Sequence, residues 1–292
     1  MKHINNMKDF TYYNLRNKVC ANDINLLFPG WEHGKEQVAI FGAHDDDPLL
    51  GAGYAMSAVM ENGADIYAVI FCQGDCGYSV PEQKNTIVDI RRKENENALM
   101  RFGLKKENII RFEYPDFSLW QFKGKQLING EDGLFKKMLE FIRNNKITRV
   151  LIPNGYREHT DHTAVFETCM YDIVQCGDSV LSDLGKEPQH VKTYLQYSVW
   201  ADFSPEDTLV NNETNTAIRA NRAITCPASI EEHIHKALKE YVSQELIIKN
   251  LMEQRRERQT KAGYMELYID IKPRPKLDYA PYVSLIESIG RV

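Results

Sequence analysis

Between residues 37 and 175, apolar runs alternate with amphipathic stretches, and this feature restricts the chain to an α/β architecture. A parallel sheet buries both faces of its strands under crossover helices, so strands read as short apolar runs and helices as one-sided stretches between them. Gln37-Val-Ala-Ile-Phe-Gly-Ala43 predicts a first strand, and residues 49 to 62, closed by Asn62-Gly63, a helix. Asp65 to Cys72 predicts a second strand, and Thr86 to Arg101, stopped by Gly103, a long helix. A third strand over Asn108 to Tyr114, a helix over Leu134 to Asn144 and a fourth strand over Arg149 to Pro153 complete a β-α-β-α-β-α-β unit.

Right-handed crossovers commonly lay such strands in the order 3-2-1-4, which makes the first and fourth neighbours. Their connections leave in opposite directions, and a crevice opens past their carboxyl ends, where open α/β sheets bind ligands. The expected fold is therefore a Rossmann-like three-layer sandwich with a mainly parallel sheet. Beyond residue 185 the pattern changes to strand-like runs at 192 to 201 and 216 to 225, one long helix from Ser229 to Gln259, a strand from Tyr264 to Ile271 and a Pro-rich tail. The expectation is a single domain over 1–292, with a core at 36–180 and an extension at 185–292 packed on it.

Composition narrows the function. The chain has 292 residues and a net charge of −5, with no basic face for a phosphate backbone, so nucleic acid is not an expected partner. No apolar run approaches the roughly 18 residues that span a bilayer, and the first nine residues lack the apolar stretch of a leader, so the expected location is the cytoplasm. The six cysteines have no Cys-x-x-Cys spacing and read as reduced packing residues, with Cys76 set apart by its polar loop.

The chemistry lies in two clusters, His44-Asp45-Asp46-Asp47 after the first strand and His159-Thr160-Asp161-His162 after the fourth. Imidazole and carboxylate suit zinc and neighbouring divalent metals, and a catalytic site keeps three protein ligands with one position open. His44, Asp47 and His162 would supply that set, leaving Asp46 as a free carboxylate, a general base. His159 and His162, three apart on a turn before a helix expected near Thr163, divide between metal and substrate, and Asp161 can hold a proton on a neighbouring ring. An acidic run after a strand can equally be a helix cap, and it is the pairing of the two clusters at adjacent strand ends that favours a site.

These residues resemble the PIG-L or LmbE-like family of zinc-dependent N-acetylglucosaminyl deacetylases. The family's Ala-His-Pro-Asp-Asp-Glu stands here as Ala43-His44-Asp45-Asp46-Asp47-Pro48, with Asp45 for the proline and Pro48 for the glutamate, and its His-x-Asp-His as His159 to His162. Gly51-Ala-Gly53, Gln73-Gly-Asp-Cys-Gly77, Arg91-x-x-Glu94, Lys236-Ala-Leu and Tyr241-Val-Ser-Gln244 extend the likeness over residues 36 to 250. The resemblance implies zinc on His44, Asp47 and His162, Asp46 as base, His159 beside the oxyanion and Asp161 tuning it. It also implies Arg91 and Asp116 on sugar hydroxyls. The substrate would be an N-acetylated sugar or conjugate, and the donor set also admits iron(II) or another divalent ion.

Two other readings compete. Gly51-Ala-Gly53 after a strand suggests a nucleotide-binding oxidoreductase, but Met56 stands where a third glycine belongs. A non-catalytic metal or sugar binder is the other, and the free Asp46 argues against it. The sequence leaves the substrate and the oligomeric state open, homo-oligomers included, and leaves open whether Cys76, Trp120 or Phe122 line the pocket.

Overall fold

The structure is a computed structural model that describes residues 10–210 and 214–290; the nonapeptide Met1 to Asp9, read above for a leader, lies outside the described residues. Its strands are β1 (Thr11–Asn14), β2 (Val19–Ala21), β3 (Gln37–Gly42), β4 (Asp65–Cys72), β5 (Ile109–Tyr114), β6 (Arg149–Pro153), β7 (Thr193–Tyr197), β8 (Arg222–Cys226), β9 (Gln259–Thr260) and β10 (Gly263–Ile271). Its helices are α1 (Asp47–Glu61), α2 (Ile87–Phe102), α3 (Leu134–Asn144), α4 (Thr160–Asp172), α5 (Asp207–Val210), α6 (Ala228–Leu238), α7 (Glu245–Gln254) and α8 (Ala280–Ile289).

One sheet runs β2-β1-β8-β10-β7-β6-β3-β4-β5, with β9 paired to β10. From β5 to β7 all pairings are parallel, and the run β5-β4-β3-β6 is the expected 3-2-1-4 order. From β7 outward through β10, β8, β1 and β2 they are antiparallel. The C-terminal third therefore continues the same sheet. Helices cover both faces. Leu49 and Tyr54 of α1, Ala98 of α2 and Ile234 of α6 bury one side, and Met138 of α3 with Val165 of α4 bury the other against Phe41 and Phe71. No helix among the described residues is long and apolar enough to cross a membrane.

Several boundaries depart from expectation, each for a tertiary reason. The long helix expected over 229–259 is two helices, α6 and α7. The chain turns between them so that the Tyr241 hydroxyl donates to the Asp45 carbonyl (2.6 Å) and Ser243 donates to Glu94. The run 192–201 ends as a strand at Tyr197, because the amides of Val199, Trp200 and Ala201 turn onto the Glu158 carboxylate. The run 216–225 becomes a strand only at Arg222, and the Pro-rich tail contains α8. The α1 glycines answer to packing: a Cβ on Gly51 would lie 2.2 Å from the Tyr197 ring, and one on Gly53 would lie 2.6 Å from Ile234. That packing accounts for the glycines the oxidoreductase reading took as a dinucleotide loop.

Candidate active site

The first cluster occupies the turn from β3 into α1. Helix α1 starts at Asp47, two residues earlier than expected, and Asp46 takes the cap position without capping: its side chain accepts no helix amide. The bland reading of this acidic run thus fails at Asp46, whose carboxylate instead lines a cavity of about 400 Å³ together with His44, Asp47, Arg91, Asp116 and His159. Asp47 folds back to accept the His44 amide at 2.8 Å.

The second cluster opens α4, which begins at Thr160 rather than near Thr163 because His159 caps it. The ring Nδ1 accepts the Asp161 amide at 3.2 Å. An imidazole that accepts at Nδ1 carries its proton on Nε2. His162, one turn inside, is fully buried.

The topology brings the clusters together as expected. One ligand atom each from His44, Asp47 and His162 lie within 4.8 Å of one another, and His162 Nε2 stands 3.2 Å from Asp47 Oδ2. That Nε2 is buried and has no hydrogen-bond partner, while Nδ1 meets Glu158 Oε2 at 2.5 Å. A histidine braced by a carboxylate on one nitrogen, with its other nitrogen facing a second candidate ligand, is the arrangement of a metal ligand. Burial alone would depress the His162 pKa, yet the Asp47 and Glu158 carboxylates push it up to about 10. Burial opposes the charge on Asp47 as well, and the His162 and His44 rings bring it down to about 2. The cluster thus favours positive charge at its centre, and its donors fit a divalent cation.

The groups around it are tuned differently. Burial raises Asp46 above the usual carboxylate range, with Arg91 pulling the other way. Burial, reinforced by the His44 ring, lowers His159. The Asp161 carboxylate, expected to hold a proton on His159, lies within ion-pair reach of that ring at 3.5 Å and of His44 Nε2 at 3.6 Å, and it accepts the Phe117 amide at 2.6 Å. The bond that orients His159 comes from the Asp161 main chain. Asp116 lines the cavity and accepts the Gly74 and Cys76 amides at 2.9 and 3.1 Å. Arg91 reaches the same wall with its Nε on Asp45.

Sequence reading missed several residues here. Glu158 lies four before His162, a spacing that a helix starting at Thr160 makes legible. Arg111, a lone cation in β5, donates to Asp45 across 66 residues, and nothing local signals it. Phe117 packs against His159 with centroids 4.3 Å apart and the rings tilted by 56°, and it sits at φ 59°, in the left-handed region. Cys76 and Trp200 line the cavity; Trp120 and Phe122 do not, the first donating to Thr160 and the second packing on Tyr114.

The fold and the site define an α/β protein that gathers two imidazoles and a carboxylate at the switch point of its sheet. A family model described as PIG-L, GlcNAc-PI de-N-acetylase, matches residues 39–171. The uncharacterized deacetylase YaiS of Escherichia coli (strain K12) is 24% identical over 172 residues, which cover 59% of this chain and 80% of that protein. The N,N'-diacetylchitobiose deacetylase of Pyrococcus horikoshii shares the fold at TM-score 0.61 and 17% identity, covering 86% of this chain and 90% of that one. So does GalB, the 4-carboxy-2-hydroxymuconate hydratase of Pseudomonas putida KT2440, at TM-score 0.61 and 15% identity over 84% and 100%. Residues 39–171 thus match the PIG-L family model, and the chain is similar in sequence to a curated deacetylase and in fold to LmbE-like deacetylases.

Proposed function

We propose that the protein is a metal-dependent N-deacetylase, a single-domain hydrolase that removes the acetyl group from an N-acetylglucosamine-type sugar or sugar conjugate. The observation that carries this reading is the convergence of His44, Asp47 and His162 beside a carboxylate, Asp46, that neither caps its helix nor joins the ligand set. These three residues would hold zinc, iron(II) or another divalent ion. When bound, such an ion polarises a carbonyl and makes water more acidic. Asp46 takes a proton from the water that attacks the acetyl carbonyl and returns it to the departing amine nitrogen, so acetate and a free amine leave. A carboxyl group raised by burial is suited to both transfers. The Nε2 proton of His159 supports the negative oxygen that develops, and Asp161 fixes that ring through its amide. Arg91 and Asp116 line the wall where sugar hydroxyls would lie.

The family activity, the YaiS likeness and the chitobiose deacetylase fold support this reading, whereas GalB makes clear that the fold alone does not choose the reaction. The test is acetate release from a panel of N-acetylated monosaccharides, oligomers and conjugates, with zinc added and with chelator. Metal-dependent release from at least one member is expected. Bound metal with no release from any member would favour a non-catalytic binder.

A further inference from the structure

We propose that Asp45, where this chain departs from the proline of the related pattern, is the positioning residue of the site, held between Arg91 and Arg111 so that it fixes the turn carrying His44, Asp46 and Asp47. The inference rests on the metal-centre reading of that turn. Proline stiffens a turn by fixing φ. Asp45 does so by being gripped from three elements. Its carboxylate accepts Arg91 Nε of α2 at 2.8 Å and Arg111 Nη1 of β5. Its carbonyl accepts Asn95 Nδ2 of α2 at 2.8 Å and the Tyr241 hydroxyl, between α6 and α7, at 2.6 Å.

The clamp also decides where Arg91 points. A Cβ on Gly74 would lie 2.7 Å from Arg91 Cδ, and one on Gly77 would lie 2.4 Å from its Nη1, so the guanidinium has no room on the loop side. On the other side its Nη2 stands 3.8 Å from Asp46 Oδ1. Arg111 is pinned independently by Glu113 at 2.9 Å, which leaves the Asp45 carboxylate between two fixed cations. Without that carboxylate, Arg91 is a buried unpaired charge whose nearest remaining partner is Asp46, and it turns onto the base.

The test uses the full chain with Asp45→Asn, which keeps the shape and one acceptor, and Arg111→Met, which frees one side of the clamp. Zinc affinity of the stripped protein is read by competition with a chromophoric chelator, beside kcat, KM and the thermal midpoint. Loss of a group that orients metal ligands typically weakens metal binding about 10- to 100-fold, and a loss in that range is expected for both variants. A fall in kcat larger than the rise in KM should accompany it, with Asp45→Asn retaining more of both than Asp45→Ala. Zinc affinity and kcat within twofold of the unaltered protein in a folded Asp45→Asn or Arg111→Met variant would overturn the proposal. Failure of both variants to fold would overturn it as well, since the clamp would then serve the fold rather than the site. If the unaltered protein releases no acetate, the deacetylase reading fails while the affinity measurement still decides the clamp.

Discussion

Strands β3 and β6 lie side by side, and each end of the pair carries buried charge, but the two ends are finished in opposite ways. At the amino end Glu36 and Arg149, 1% and 0% exposed, form a closed pair: Arg149 Nη2 and Nε meet the two carboxylate oxygens at 3.1 and 3.2 Å. Its remaining donors go to the Pro29 and Gly30 carbonyls and to Thr193, and Thr148 donates to Glu36. Nothing there is left over. At the carboxyl end His162 Nε2 has no hydrogen-bond partner and Asp46 faces a cavity. Buried charge by itself therefore marks nothing; a site is marked by donors and acceptors that the protein leaves unmatched and open to a cavity.

The two ends should respond differently to substitution. Asp46→Ala should give the largest effect, a loss of turnover of about 10²–10⁴-fold, the usual worth of a positioned acid–base group, with the urea midpoint nearly unchanged. Comparable loss of stability in that variant would erase the distinction between the ends. Glu36→Gln should do the reverse. Removing one partner of a buried pair leaves the other charge uncompensated and costs about 3–5 kcal/mol, so urea unfolding should shift strongly while turnover per folded molecule holds.

The Glu36 pair also has a pH signature. Burial opposes its ionisation, but the Arg149 and Thr148 bonds outweigh that and bring its pKa down from 4.5 to about 2. Because the folded value lies below the unfolded one, its contribution is fully present above pH 4.5 and is lost as pH falls toward 2. Stability measured across that window should fall less steeply with acid in Glu36→Gln than in the unaltered protein; parallel curves would show that the pair is not responsible. The smallest effect is expected at Glu158, which braces His162 from behind. Glu158→Gln should weaken zinc binding about 10- to 100-fold, as read by chelator competition, and unchanged affinity would remove Glu158 from the site.

The sequence made the parallel half legible because its signals are local. The helix Leu134–Asn144 and the strand Arg149–Pro153 appear at the bounds expected for them, since α3 buries Leu134, Met138, Leu139 and Ile142 on one face and β6 is buried throughout. The adjacency of β3 and β6, and with it the meeting of His44 and His162, followed from the handedness of crossovers. What escaped depends on distant partners. Strands β1 and β2 are four and three residues long, and β1 finds its place only by pairing with β8 more than 200 residues later. No glycine or proline marks the break between α6 and α7; it is the bond from Tyr241 to Asp45 that requires it. The grip of Arg111 on Asp45 is likewise invisible until β5 and the β3–α1 turn are side by side.

Calorimetric titration of zinc into chelator-stripped protein tests the open end of the strand pair most directly. The expected result is one ion bound per chain, with binding lost in His162→Ala while that variant stays folded. No binding to the unaltered protein, or equal binding after His162→Ala, would contradict the assignment of His44, Asp47 and His162 to a common ion.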